Sequence, residues 1–162
     1  MKTDCQAIEM GIQLEREGRE FYLNAAERTE NERGKQMFLS LADDEAIHLR
    51  TLERQLEAIQ AGGTCLVLPD VDEADAGWSE PLFPKEPDIL KKVIGADAND
   101  VDALIFAIQA ENKSFELYQE MANTSEDPAA VAMFKWLAAA EKGHFNQLML
   151  NYESLMTEGR WV

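Results

Sequence analysis

Residues 133–144, MFKWLAAAEKGH, decide the fold because residues 37–48, MFLSLADDEAIH, repeat them at an offset of 96. Met, Phe, Leu, Ala, Glu and His recur at matching places. The same offset aligns IQLEREGREFY (12–22) with IQAENKSFELY (108–118), so neither half needs a gap between its two segments. Self-similarity at one constant offset marks an internal duplication. Both segments of each half show helical periodicity with few glycines or prolines, so each half reads as a helical hairpin.

The periodicity predicts helices over about 4–29, 32–61, 99–123 and 128–157. Ile8, Ile12, Tyr22 and Ala26 fall on one stripe of the first, and Phe38, Leu41, Leu49, Leu52 and Leu56 on one side of the second. Gly62-Gly63 ends the second helix, since glycine readily follows a helix C-terminus. Asn99 or Asp100 caps the third. Asp127 caps the fourth, and Pro128 occupies a position where its missing N–H costs little. Residues 62–98 hold four of the five prolines and read as a long crossover, with one short helix near 87–95. The expected fold is all-α, a single domain over 1–162: a four-helix bundle of two duplicated hairpins joined by that crossover.

A chain of 162 residues can bury a sizeable core. Its formal charge of −16 excludes nucleic acid as a partner, because a phosphate backbone requires a basic surface. No signal peptide and no apolar run long enough to span a bilayer occurs, so a cytoplasmic location is expected. Cys5 and Cys65 are isolated and form no CxxC pair, which fits reduced thiols rather than an iron–sulfur or rubredoxin-type site.

The repeated positions include Ile12/Ile108, Glu15/Glu111, Tyr22/Tyr118, Phe38/Phe134, Leu41/Leu137, Glu45/Glu141, His48/His144 and Leu52/Leu148. The apolar pairs are core. The glutamates require another explanation, because they lie on the same helix faces as the core residues. An ionised carboxylate buried without a partner costs several kcal/mol, and these stripes carry no Lys or Arg. Two divalent cations would balance four glutamates, with neutral imidazoles as further donors. In Glu-x-x-His the side chains lie about 300° apart around the helix and roughly 4.5 Å apart along it, so both can reach one ion. One glutamate from each of two helices, plus Glu-x-x-His from each of the other two, is the dinuclear arrangement of ferritin-like bundles. A single Glu-x-x-His is common on helices. Two copies in register with Glu15 and Glu111 are a far more specific signal. Glu20 and Glu116 also match at the offset but fall off the stripe and read as solvated surface. Tyr22 and Tyr118, two turns beyond Glu15 and Glu111, are candidate hydroxyl donors to ligand carboxylates.

The segments AIEMGIQLEREGREFYLNAAE, MFLSLADDEAIHLRTLE, LIFAIQAENKSFELYQEMA and MFKWLAAAEKGHFNQL resemble the core helices of the rubrerythrin-related branch of the ferritin-like superfamily. The resemblance implies that Glu15 and Glu111 are terminal metal ligands, that Glu45 and Glu141 bridge, and that His48 and His144 supply terminal nitrogens. It implies two iron ions and reaction with peroxide or dioxygen; manganese and zinc accept the same donors. The chain departs from rubrerythrins in two ways. It lacks the rubredoxin cysteines, which implies a separate electron donor. It also has Ser114, matched by Gly18, where rubrerythrins carry an additional glutamate, so the ligand set is the symmetric one closer to bacterioferritins. The residue before the Glu-x-x-His glutamate is Asp44 in one half and Ala140 in the other. In similar bundles an acid there bonds the histidine of the opposite half, so Asp44 is expected beside His144 and His48 is expected to lack an equivalent.

The expected function is reduction of peroxide or dioxygen at a di-iron centre, with Gly18, Ser114 and Gly143 leaving room for access. Two rivals stand beside it: a ferroxidase or iron-handling protein with iron as substrate, and a non-catalytic helical interaction module with a vestigial site. The last predicts a protein without metal in which Glu141→Ala is stabilising. A homodimer is the expected assembly, with the crossover able to exchange a helix pair between subunits.

Overall fold

The computed structural model describes residues 4–63 and 100–162. Four helices, α1 (Asp4–Arg28), α2 (Glu32–Gln60), α3 (Asp100–Thr124) and α4 (Pro128–Glu158), form the bundle, and no strand occurs among the described residues. Most of the crossover, its expected short helix, Cys65 and the candidate cap Asn99 lie outside the described residues.

Local chemistry sets the helix ends. The Asn31 side chain accepts from Arg33 N at 2.9 Å and Gly34 N at 3.2 Å, satisfying two amides that the first turn of α2 leaves open. The Asp127 carboxylate accepts from Ala129 N at 2.8 Å, with Pro128 following it at the start of α4. Gly62, just beyond α2, has φ 84°, and Gly159, just beyond α4, has φ 68°. Both occupy the left-handed region that a side chain disfavours.

Helix α1 packs along α2, and α3 along α4, giving the two hairpins. The duplication is visible in the packing. Tyr22 stacks on Phe38 with ring centroids 6.2 Å apart, and their repeat mates Tyr118 and Phe134 stack at 6.3 Å. Phe21 joins the hairpins by stacking on Phe106 at 4.8 Å. Ile8, Leu41, Leu52, Leu104, Leu137 and Leu148 are fully buried around these rings. Each such side chain contributes roughly 1.5–3 kcal/mol on burial.

The chain after α4 turns back onto the bundle. Trp161 is buried, packs edge-on against Phe38 at 5.8 Å and lies over Gly34. Val162 N donates to Asn151 Oδ1 at 3.0 Å, and Ser154 Oγ donates to the Arg160 carbonyl at 2.7 Å, which holds this return in place.

Candidate metal centre

Each helix delivers its polar core residues from near its middle: Glu15 from α1, Glu45 and His48 from α2, Glu111 from α3, Glu141 and His144 from α4. None of the six is more than 5% exposed. They are buried for the same reason as their apolar neighbours, since they share the stripes that face the other helices. Among the described residues no Lys or Arg pairs with any of the four glutamates.

The two imidazoles turn Nδ1 toward the carboxylates. His48 Nδ1 lies 3.1 Å from Glu15 Oε2, 3.2 Å from Glu45 Oε2 and 3.3 Å from Glu141 Oε1. His144 Nδ1 lies 3.6 Å from Glu45 Oε1, 3.5 Å from Glu111 Oε1 and 3.6 Å from Glu141 Oε2. The rings stack with centroids 5.6 Å apart. The donors thus fall into two sets, Glu15/Glu45/His48/Glu141 and Glu45/Glu111/Glu141/His144, each with ligand atoms within 4.8 Å of one another. Glu45 and Glu141 belong to both.

The spacing fits metal ions. Donors about 2.1 Å from one ion stand about 3.0 Å apart at a right angle and about 3.4 Å apart at the tetrahedral angle. The nitrogen–oxygen distances here run from 3.1 to 3.6 Å. Three of the buried atoms, Glu111 Oε2, Glu141 Oε1 and His144 Nδ1, make no well-aligned hydrogen bond, although Glu141 Oε1 stands 3.3 Å from His48 Nδ1 and His144 Nδ1 3.5 to 3.6 Å from three carboxylate oxygens. Buried polar atoms are rarely left this way. Convergent and unsatisfied, they form a receptacle for cations.

The outer edges of the cluster are tied down. Tyr22 OH donates to Glu111 Oε1 and Tyr118 OH donates to Glu15 Oε1, so each tyrosine serves the other hairpin's glutamate. Burial first, then the charge of the accepting glutamate, raises both phenols well above their ordinary range and keeps them donors. His144 Nε2 donates to Asp44 Oδ2 at 3.1 Å. That contact fixes the ring's orientation with Nδ1 facing the centre. The position matching Asp44 in the other half is Ala140, and no carboxylate among the described residues contacts Nε2 of His48.

Protons neutralise the cluster in the metal-free chain. Burial pushes Glu15 upward, but the charge of His48 and hydrogen bonds from Glu45, His48 and Tyr118 outweigh it and hold Glu15 below the usual range. Burial and the Glu15 charge likewise raise Glu141, and hydrogen bonds from Glu111, His144 and His48 bring it lower. Burial and the neighbouring carboxylates drive Glu45 well above its usual range, and burial with the Glu141 charge pushes Glu111 up to about 8. Burial opposes a charge on either histidine. The carboxylates around each one, together with Asp44 for His144, outweigh it and hold both far above the ordinary imidazole range. Two imidazolium groups and two neutral glutamic acids therefore face two carboxylates. The same zero charge arises from two divalent ions, four carboxylates and two neutral imidazoles.

Sequence reasoning did not single out Trp136, Ile47 or Gln147. With Asp44, His48, Ala140, Gly143 and His144 they line a cavity of about 450 Å³ between α2 and α4. Trp136 stands edge-on to His48 at 5.3 Å. Its repeat mate is Ser40, so identity between the halves gives no signal for it. Of the small residues expected to leave room for access, Gly143 lines this cavity, while Gly18 and Ser114 are buried elsewhere.

Comparison with known proteins agrees with the site. The family model for rubrerythrin matches residues 6–152. A Thermotoga maritima protein, described as a ferritin-like diiron-carboxylate protein, is similar with a TM-score of 0.72 and 25% identity, over 94% of this chain and 95% of its own. A hypothetical protein from Pyrococcus furiosus shares the fold with a TM-score of 0.69 and 22% identity, over 96% of this chain and 92% of its own. No curated protein matches. The matched span contains Glu15, Glu111 and both Glu-x-x-His pairs, and the chain belongs to the rubrerythrin family.

Proposed function

We propose that the protein is a non-haem di-iron oxidoreductase that reduces hydrogen peroxide or dioxygen at this centre, with Glu15 and Glu111 as terminal ligands, Glu45 and Glu141 as bridges, and His48 and His144 as nitrogen ligands. One observation carries the reading: two buried four-donor sets share Glu45 and Glu141, and three of their atoms make no well-aligned hydrogen bond. A bound pair of iron ions supplies paired one-electron chemistry, matching the two electrons that cleave a peroxide O–O bond.

The chain's own residues hold and orient the centre. Tyr118 holds Glu15 Oε1 and leaves Oε2 beside His48, while Tyr22 holds Glu111 Oε1, the oxygen that also faces His144 Nδ1. Buried Phe, Leu and Tyr side chains around the cluster exclude water, which strengthens every charge interaction inside it. This chain carries no CxxC pair, so the reading includes an electron donor outside its 162 residues. A homodimer in the cytoplasm completes it.

Ferroxidase activity, with iron as substrate, is the second reading. It is favoured by the Asp44 carboxylate, whose side chain is 47% exposed at the cavity and offers an incoming cation a first contact. The test is stopped-flow absorbance of anaerobic Fe(II)-loaded protein mixed with peroxide and, separately, with O₂, after metal analysis. Faster oxidation by peroxide with iron retained supports the oxidoreductase. A rate with peroxide no faster than with O₂, with iron leaving the protein, moves the assignment to ferroxidase.

A further inference from the structure

The two donor sets share a duplicated origin, yet two features of the histidines set them apart. The first is on the outer side of the rings. His144 Nε2 donates to Asp44 Oδ2 at 3.1 Å, which locks that ring's orientation. At the matching position behind His48 stands Ala140, a methyl group on the wall of the cavity, and the ring edge meets Trp136 instead. The second is on the inner side. His48 Nδ1 is engaged in hydrogen bonds with Glu15 Oε2 at 3.1 Å and Glu45 Oε2 at 3.2 Å. His144 Nδ1 is buried too, but stands off from its nearest carboxylate oxygens at 3.5 to 3.6 Å and makes no well-aligned hydrogen bond.

Both features favour the same position. An ion entering beside His144 meets a ring already oriented by Asp44, with its Nδ1 only loosely engaged by carboxylates at 3.5 to 3.6 Å. An ion entering beside His48 must break two hydrogen bonds at the nitrogen it needs, on a ring with no carboxylate behind it. We infer that the two metal positions are unequal: the Glu45/Glu111/Glu141/His144 position fills first and holds its ion more tightly, and the Glu15/Glu45/His48/Glu141 position is the weaker, exchangeable one, with Asp44 and Ala140 as the residues that set the difference. This rests on the metal-centre reading above.

Asp44 is a positioning residue, since it acts on the ion only through His144. A carboxylate behind a ligating histidine typically changes metal affinity roughly 10- to 100-fold. A gap of that size between two binding steps is resolvable by titration.

The test is isothermal titration of the full-length, metal-free protein with Co(II), followed in parallel by visible absorbance. The wild type is expected to bind in two steps separated roughly 10- to 100-fold in affinity. Ala140→Asp, whose new carboxylate enters the cavity behind His48, strengthens the weaker step and narrows the gap. Asp44→Ala narrows it from the other side by weakening the stronger step, and Asp44→Asn, which keeps an acceptor, falls between. His48→Ala retains the tighter step, and His144→Ala retains the weaker. Circular dichroism of each metal-free variant confirms folding, and Ala140→Asp tests the idea by a gain that misfolding cannot mimic. Two equal sites in the wild type overturn the inference while leaving the metal centre standing. So does an Ala140→Asp variant with both steps unmoved, or a His48→Ala variant that has lost the tighter step. Absence of any Co(II) binding overturns the inference and the metal-centre reading together.

Discussion

The Tyr22 hydroxyl of the first hairpin donates to the Glu111 carboxylate of the second, across 89 residues of sequence. Tyr118 returns the contact to Glu15. The centre is therefore braced by the pairing of the two hairpins, and neither half alone supplies a glutamate held by a tyrosine.

Removing one brace should be felt as a bond between hairpins. Tyr22→Phe leaves Glu111 Oε1 without its donor and is expected to destabilise the metal-free protein by about 1–3 kcal/mol. Urea unfolding measures this. A double-mutant cycle of Tyr22→Phe with Glu111→Gln should show a coupling energy well above that of Tyr22→Phe with Glu15→Gln. Equal couplings would place the brace within one hairpin.

Metal loading should release protons. Glu45, Glu111 and both histidines hold protons at neutral pH in the metal-free chain, and each must lose one to act as a ligand. About four protons per pair of ions are expected to leave near pH 7. The sign follows directly: the raised groups bind protons in competition with metal, so affinity increases as pH rises. Glu111 stops contributing above about 8, where it is already ionised. Calorimetry in buffers of different ionisation enthalpy counts the protons, and an affinity independent of pH between 6 and 8 (roughly, the range in which these groups compete) would refute the assignment.

Glu141 belongs to both donor sets, whereas Glu15 belongs to one. Glu141→Ala is expected to abolish binding of both ions, and Glu15→Ala to spare one. A ligand that binds the native state raises stability with the logarithm of its concentration over Kd, so metal should no longer raise the melting temperature of Glu141→Ala. Metal analysis and melting curves with and without Co(II) decide this. A Glu141→Ala protein more stable than the metal-treated wild type would favour the vestigial-site reading.

The end of the bundle offers a prediction independent of metal. A Cβ on Gly34 would lie 2.6 Å from Trp161 Cε2 and 2.9 Å from Thr29 Cγ2. Gly34→Ala should therefore displace the Trp161 return and cost about 1–3 kcal/mol through overpacking. Trp fluorescence and denaturant unfolding report it, and metal stoichiometry should not change.

Much of the candidate site was legible because duplication supplied a second copy of every candidate ligand. Glu15/Glu111, Glu45/Glu141 and His48/His144 share one offset, and their place on apolar stripes separated them from Glu20/Glu116, which match equally well but leave the stripe. Glu20 is exposed in the structure and Glu116 partly so, whereas the four stripe glutamates are buried. The start of the fourth helix was legible too, because Asp127 before Pro128 is a local capping pattern; the Asn31 cap acts just as locally but was not singled out in the sequence.

The sequence by itself determined the helices, the duplication and the six polar residues on the core faces, since all three are set by periodicity and offset along the chain. Apart from the Asp44–His144 contact, which the resemblance already implied, only the tertiary structure decided which partner each of those groups meets. It crossed Tyr22 to Glu111 and Tyr118 to Glu15, set the two histidine nitrogens against different neighbours, and brought Trp136 beside His48. Those relations depend on how one hairpin is rotated and shifted against the other. That geometry is fixed by packing between helices far apart in sequence, and no spacing within a helix encodes it.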